Sequence, residues 1–223
     1  LRVLSYNVAG LPPGMSDSKP IQNMLRISPL LNDYDLVLVQ EDFLFHRLLK
    51  LVARHPYKSE PQPLSGIINR DFLTKVRGIS VSDLGDLSDF LGSDRLTNDG
   101  LNRFSVFPFT SFERHTWVAC NGLTEGANDC LAPKGFSYAR HEIADSVFID
   151  VYNLHGDAGR STEDEEARRQ QFRELATFIQ ERSAGLPVIV AGDTNLQTPV
   201  PDDREAGRSE EHTSELQSRE NLV

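Results

Sequence analysis

The sequence predicts an α/β protein in which helices pack against stacked mixed β-sheets. Three observations support this class. Continuous apolar segments typical of buried strands recur along the chain, as at 35–40 and 188–191. Apolar residues at helical spacing separate some of these strands, most clearly at 161–182. Other strands follow one another directly and predict a hairpin, as at 135–141 and 146–153.

The individual elements follow from the same periodicities. Prolines and glycines predict a loop at 8–20, and Pro29 is expected to bend or end the first helix. Asp42 is the expected N-cap of the second helix, and Thr162 with Glu165 predicts a capping box at the start of the third. In chain order, we predict strands at 2–7, 35–40, 101–107, 111–119, 135–141, 146–153 and 188–191, helices at 21–31, 42–54 and 161–182, an extended segment at 56–63, and a surface excursion at 69–100.

Length and charge narrow the class of function. The chain has 223 residues, which suggests one domain, and we favour a monomer. Its formal net charge of −10 counts weakly against a nucleic-acid substrate, because such binders usually carry a basic face. The sequence shows no bilayer-spanning apolar run and no signal segment, but Leu1 is not a start methionine, so the compartment stays open.

Polar side chains follow four apolar strands that lie far apart in the sequence. These side chains are Asn7, Glu41, His155, Asp193 and Asn195. Buried strands bring their last side chains to one rim of a sheet, so we expect the five to converge. Asp193 and Asn195 are two residues apart and would face the same way in an extended segment. Oxygen ligands beside an imidazole suit a hard divalent cation and a phosphate, which predicts a metal-dependent phosphoesterase.

The motifs at these strand ends resemble the endonuclease/exonuclease/phosphatase superfamily, whose members have the DNase I-like fold. They read Leu-Ser-Tyr-Asn, Val-Gln-Glu, Asn-Leu-His and Ala-Gly-Asp-Thr-Asn, in this order, and the resemblance covers residues 1–195. It implies a four-layered α/β sandwich with two stacked mixed β-sheets. It also implies phosphoester cleavage with Mg²⁺, or with Mn²⁺ as the alternative cofactor.

The resemblance assigns a role to each residue at the strand ends. Glu41 and Asn7 are expected to bind the metal, with Asn7 supporting either metal or phosphate. Asp193 and Asn195 would orient the attacking water and hold the phosphate, and His155 would donate a hydrogen bond to the phosphoryl oxygens. Alternatives are an N-cap for Glu41, turn residues for the other acidic and amide side chains, and a structural histidine.

The superfamily also has an Asp-His pair near its C-terminus, whose histidine is the general base. This sequence contains no Asp-His dipeptide. We therefore expect the chain as written to lack its base and its final strands, to be essentially inactive, and to leave one sheet edge open. Residues 208–218 resemble a translated sequencing adapter, so we expect a truncated domain at 1–207 and a non-native tail at 208–223; a disordered acidic tail is the alternative.

The stretch from Cys120 to Gly135 resembles bacterial sphingomyelinases and related phospholipase C-like phosphodiesterases. Lys134 is accordingly expected to contact substrate, with a solvated turn lysine as the alternative. A second stretch, at 99–105, also narrows the subfamily, and its Arg103 is likewise expected to contact substrate. Cys120 and Cys130 are expected to form a disulfide, the alternative being two free thiols. These features favour a secreted or extracytoplasmic enzyme acting on a phospholipid at a membrane surface or on a small phosphodiester. A DNase I-like nuclease and a catalytically dead binding module remain alternatives.

Overall fold

A computed structural model describes residues 1–11, 19–43, 45–62, 98–121 and 133–196. These residues form two four-stranded mixed sheets and three α-helices. The strands are β1 (Val3–Asn7), β2 (Leu36–Gln40), β3 (Tyr57–Lys58), β4 (Asn102–Ser105), β5 (Phe109–Thr116), β6 (Gly135–Ala144), β7 (Val147–His155) and β8 (Val188–Asp193). The helices are α1 (Pro20–Leu30), α2 (His46–Lys50) and α3 (Thr162–Arg182), and a 3-10 turn (Leu31–Asp33) follows α1.

Each sheet contains one parallel pair that carries functional candidates. The first sheet has the order β1-β2-β4-β3, with β1 parallel to β2. The second has the order β5-β6-β7-β8, with β7 parallel to β8. The C-terminal ends of β1 and β2 are in register, Asn7 with Gln40, and those of β7 and β8 likewise, His155 with Asp193. Strands β1 and β8 lie against each other across the sandwich, which brings the two pairs of ends together.

Three apolar clusters divide the domain into four layers. One lies between the first sheet and the helices α1 and α2, and includes Met24, Val37 and Leu49. A second lies between the two sheets, where Leu38 and Val151 pack face to face. The third lies under α3 and consists of Trp117, Phe136, Tyr138, Tyr152, Leu154 and Leu175. The predicted α/β class and four-layered sandwich are confirmed.

Two details of the helices differ from the sequence prediction. Helix α2 begins at His46, after Phe45 as N-cap, and is much shorter than 42–54. Asp42 is not a cap: its buried carboxylate contacts His46 Nδ1 at 2.5 Å and accepts a hydrogen bond from Asn102 Nδ2 at 2.9 Å. The chain cannot continue as a helix directly after β2, because Glu41 has a left-handed backbone with φ 56°.

Helix α3 agrees closely with its prediction except at its first residue. Its capping box is formed by Ser161 and Asp164, one residue earlier than the expected pair of Thr162 and Glu165. Ser161 Oγ accepts from the amide of Asp164, while the Asp164 carboxylate accepts from the amide of Ser161. A shorter carboxylate thus closes the same box. Helix α1 ends at Leu30, directly after Pro29, as expected.

None of the helices in the described ranges is long and apolar enough to cross a membrane. Most of the surface excursion predicted at 69–100 and the whole tail at 208–223 lie outside the described residues. The proposed boundary at residue 207 therefore stays a prediction.

Candidate active site

The ends of β1, β2, β7 and β8 form one polar cluster. Asn7 connects its two carboxylates: the Nδ2 group donates to Glu41 Oε1 at 2.8 Å and to Asp193 Oδ2 at 2.9 Å. Asn7 Oδ1 accepts a hydrogen bond from the amide of Ala9 at 3.0 Å, which fixes the orientation of the side chain. Two acidic groups are thus held side by side through a single amide.

His155 lies at the buried base of this cluster. Its side chain is 2% exposed, and its Nε2 atom lies 3.9 Å from Glu41 Oε1 and 4.0 Å from Asp193 Oδ2. Burial, together with the positive charge of Lys134, lowers the pKa of His155 to about 3, although Asp193 acts in the opposite direction. The imidazole is therefore neutral at pH 7. A neutral imidazole has one N–H and can donate one hydrogen bond at this position.

Asp193 and Asn195 are joined by a turn and do not share an extended segment. Strand β8 ends at Asp193, and the backbone amide of Asn195 donates to Asp193 Oδ1 at 3.0 Å. Asn195 has a φ of 50°, a conformation that asparagine tolerates better than most residues. Its Nδ2 group donates to Gly156 O at 3.0 Å, so the turn places Asn195 beside the end of β7. The expected side-by-side arrangement in an extended segment is wrong, yet the turn keeps both residues at the cluster.

Two amides inside the sandwich align the strands that carry Glu41 and His155. Gln40 Nε2 donates to Asn153 Oδ1 at 2.6 Å, and Asn153 Nδ2 donates to Val39 O at 2.9 Å. Both side chains are almost completely buried. The sequence analysis did not identify either as a site residue. The available signal was an amide within or at the end of an otherwise apolar strand, since a buried amide requires hydrogen-bonding partners.

Lys134 lies beside the residue that follows His155, and its predicted contact with substrate stays a prediction. Its Nζ donates to Gly156 O at 3.4 Å, directly after His155 in the chain. Trp117 supports this region, because its Nε1 donates to His155 O at 2.7 Å and its amide donates to Lys134 O at 3.0 Å. Lys134 therefore lies beside the end of β7, and its charge acts on the imidazole of His155.

Arg103 does not lie where substrate could reach it. Its side chain is completely buried between the two sheets, and it donates to Ser137 O at 3.0 Å, Ser137 Oγ at 2.9 Å and Val151 O at 3.3 Å. Burial lowers its pKa to about 9. The expected substrate contact is therefore corrected to a structural role. Side chains along a strand alternate between its two faces, and Arg103 lies on the face of β4 that meets the second sheet.

Cys120 takes part in a disulfide bond. The sequence contains one other cysteine, Cys130, which lies outside the described residues. The predicted pairing of these two therefore stays a prediction.

The cluster offers few ligands for a cation. Within the described part of the chain, no group of three or more His, Cys, Asp and Glu side chains is arranged to hold a metal ion. The oxygens at hand come from the carboxylates of Glu41 and Asp193, since Asn7 turns its Nδ2 toward them and its Oδ1 toward the amide of Ala9. This hard-oxygen set fits Mg²⁺, which often takes only one or two carboxylates and completes its coordination with water and substrate phosphate.

Proteins similar to this chain in sequence are named sphingomyelinase. The chain is 31% identical over 197 residues to proteins named sphingomyelinase from Mycobacterium bovis and from Mycobacterium tuberculosis. The alignment covers 87% of this chain but 34% of each relative, so the chain spans about a third of their length. No protein-family model matches the chain.

Solved structures share the fold. Sphingomyelinase C from Streptomyces griseocarneus superposes with a TM-score of 0.63 at 22% identity, covering 98% of this chain and 69% of that one. A beta toxin structure from Staphylococcus aureus gives a TM-score of 0.64 at 19% identity, covering 90% of this chain and 68% of that chain. Another structure of that toxin, with bound magnesium ions, gives 0.62 at 18% identity and covers 99% of this chain and 69% of that chain.

Proposed function

We propose that this chain, a homologue of sphingomyelinases with the DNase I-like fold, is a metal-dependent phosphodiesterase of the endonuclease/exonuclease/phosphatase superfamily. The observation that carries the proposal is the joining of Glu41 and Asp193 through Asn7, above the neutral imidazole of His155. The proposed reaction is hydrolysis: a water oxygen attacks phosphorus, the phosphorus–oxygen bond to the leaving alcohol breaks, and a water proton passes to a base while the alcohol gains one.

Glu41 is the proposed principal metal ligand, and Asn7 is proposed to support the metal site by donating from Nδ2 to Glu41 Oε1. The carboxylate of Glu41 is 21% exposed, so it can meet a partly hydrated cation. A bound Mg²⁺ would supply positive charge for the phosphoryl oxygens. The magnesium ions in the beta toxin structure support the choice of metal.

The other residues are proposed to act on water and phosphate. Asp193 can accept a hydrogen bond from the attacking water, while Asn195, held by Gly156 O, lies next to it. The single N–H of neutral His155 can donate to a phosphoryl oxygen as negative charge develops there. Lys134 adds a positive charge that would attract the phosphate before the reaction.

The proposed substrate is a phospholipid such as sphingomyelin, or a smaller phosphodiester. The sphingomyelinase relatives support this choice, and the net charge of −10 disfavours DNA. An extracytoplasmic location is also proposed, because Cys120 is disulfide-bonded and such bonds persist mainly in oxidising compartments.

The test is hydrolysis of sphingomyelin vesicles by the purified chain, measured as phosphocholine release with Mg²⁺ and with EDTA. We expect slow release with Mg²⁺, because the sequence has no Asp-His pair, and faster release when imidazole is added as an external base. Release should stop with EDTA and in Asp193→Asn. The matched control is Glu60→Gln, an exposed carboxylate in an ion pair with Lys50, which should leave the rate unchanged.

Two other results would favour the alternatives. Faster cleavage of double-stranded DNA than of sphingomyelin under identical Mg²⁺ conditions would favour a nuclease. Tight Mg²⁺ binding without hydrolysis of either substrate, even with imidazole, would favour a binding module.

A further inference from the structure

Glu41 has an unusual backbone for a residue directly after a buried strand. Its φ is 56°, in the left-handed region that residues other than glycine, asparagine and aspartate seldom adopt. This turn directs the carboxylate of Glu41 toward Asn7 and the end of β8, where Asp193 lies. Such a conformation persists only where the surrounding structure enforces it.

Two glycines lie close to the backbone of Glu41. The amide of Gly10 donates to Glu41 O at 3.0 Å, and Gly100 O accepts from the amide of Asp42 at 3.0 Å. A Cβ atom on Gly10 would lie 2.4 Å from Glu41 O. A Cβ atom on Gly100 would lie 3.0 Å from Glu41 Cα and 2.8 Å from Phe43 Cε1. A side chain at either glycine would therefore displace the Glu41 backbone.

A buried asparagine fixes one of these glycines to the segment after Glu41. Asn98 is 1% exposed; its Oδ1 accepts from the amide of Gly100 at 2.9 Å, and its Nδ2 donates to Phe43 O at 2.8 Å. Gly100 itself has a φ of 66°, a conformation that glycine adopts without strain. Hydrogen bonds thus connect both ends of the segment 98–100 to the segment 41–43.

We propose that Gly10, Gly100 and Asn98 are positioning residues that hold Glu41 in its left-handed conformation and thereby set the affinity of the site for a divalent cation. This inference rests on the proposed role of Glu41 as metal ligand. None of the three residues needs to touch the cation. They act through the backbone of Glu41, as residues around a metal site commonly act through its ligands.

The test is the Mg²⁺ affinity of the whole chain, measured by titration calorimetry. Gly100→Ala and Gly10→Ala are expected to weaken Mg²⁺ binding by roughly tenfold or more. Asn98→Ala introduces no clash and is expected to weaken it by at least about threefold, a smaller effect in the same direction. The control is Gly185→Ala, at a φ of 77° but with no atom within 4 Å of the added Cβ; it should bind Mg²⁺ as the unchanged chain does.

A double-mutant cycle separates positioning from a general loss of structure. Glu41→Gln should weaken Mg²⁺ binding strongly, and adding Gly100→Ala or Asn98→Ala to it should cause little further loss, because both act through Glu41. Circular dichroism establishes which variants fold. If Gly10→Ala and Gly100→Ala do not fold, Asn98→Ala alone tests the positioning role.

The outcomes distinguish this inference from the proposed function. If Glu41→Gln weakens Mg²⁺ binding but the folded Gly100→Ala and Asn98→Ala variants bind within twofold of the unchanged chain, the positioning role is wrong. The same holds if their losses persist undiminished beside Glu41→Gln. If the unchanged chain binds no Mg²⁺, or Glu41→Gln binds it equally well, the metal-ligand role of Glu41 fails first and the positioning role falls with it.

Discussion

Replacing Glu41 with glutamine should stabilise the folded chain when no cation is present. Glu41 Oε1 and Asp193 Oδ2 both accept from Asn7 Nδ2, at 2.8 and 2.9 Å, so the two oxygens are at most about 5.7 Å apart. In the proposed resting state the two groups are carboxylates, whose like charges repel each other. Glutamine has nearly the same shape and keeps an oxygen for Asn7, but it removes one of the charges.

The size of the effect follows from this distance. Two unit charges about 5.7 Å apart interact with roughly 3 kcal/mol at an effective dielectric constant of about 20. The side chains are 21% and 19% exposed, so solvent reduces this repulsion. The hydrogen bond from Asn7 also weakens by about 1 kcal/mol when its acceptor loses the charge. We expect a net gain of about 1 kcal/mol in the free energy of unfolding.

The assay is urea unfolding, performed once in EDTA and once in excess Mg²⁺. A cation that binds only the folded state adds about 2.7 kcal/mol when its concentration is 100 times the dissociation constant. The unchanged chain should show this gain. Glu41→Gln should show less than about 0.5 kcal/mol if its affinity is a hundredfold lower, so the order of stability should reverse between the two conditions.

Glu60→Gln provides the matched control, because its carboxylate is 75% exposed and contacts only the nearby Lys50 among the described ion pairs. Its stability should change by less than about 1 kcal/mol in either condition. The reasoning fails if Glu41→Gln is less stable than the unchanged chain in EDTA. It also fails if Mg²⁺ stabilises Glu41→Gln as strongly as it stabilises the unchanged chain.

Three further predictions concern stability away from the carboxylates. Arg103→Ala should lower the free energy of unfolding, measured with urea, by about 3 kcal/mol or more, because it leaves a cavity and removes the donor to Ser137 O. A loss of less than about 1 kcal/mol would indicate that the arginine is exposed. Ser161→Ala should cost about 1 kcal/mol by the same assay, because the capping box of α3 is lost, and an unchanged midpoint would contradict that role. Burial lowers the pKa of His141 from 6.5 to about 3, so the unfolded state takes up a proton at a higher pH than the folded state does. The free energy of unfolding should therefore fall, by at most about 1.4 kcal/mol per pH unit, as the pH drops from 6.5 toward 3. The stability of His141→Gln should depend less steeply on pH over that range.

The sequence predicted the sandwich well because its signals are local. Continuous apolar strands such as Leu36–Gln40 and the amphipathic pattern of Thr162–Arg182 depend on few neighbours. The prediction failed for the second helix, where apolar spacing suggested 42–54 and the structure has only His46–Lys50. There the backbone of Glu41 and the buried contacts of Asp42 override the helical periodicity, and neither leaves a mark in the spacing of apolar residues.

The residues of the candidate site could be predicted from the sequence for a related reason. A carboxylate or histidine at the end of an apolar strand is costly unless it serves a purpose, so Glu41, His155 and Asp193 stand out in the sequence. Arg103 was assigned wrongly because the resemblance of its stretch to the sphingomyelinases suggested a substrate contact. Its direction into the sandwich depends on which face of β4 meets the second sheet, and the sequence alone does not specify that pairing.

Residues that act through the backbone are harder to find than residues that act through their side chains. Gly10 and Gly100 carry no chemical group, and in the sequence they are indistinguishable from glycines of ordinary loops. Their significance arises from two close approaches to Glu41, whose backbone comes from a third segment of the chain. If the proposed positioning role holds, the affinity of the site is determined as much by the space denied to side chains around Glu41 as by the carboxylate itself. A sequence comparison limited to the polar strand ends would then miss variants that keep every proposed ligand and still bind the cation poorly.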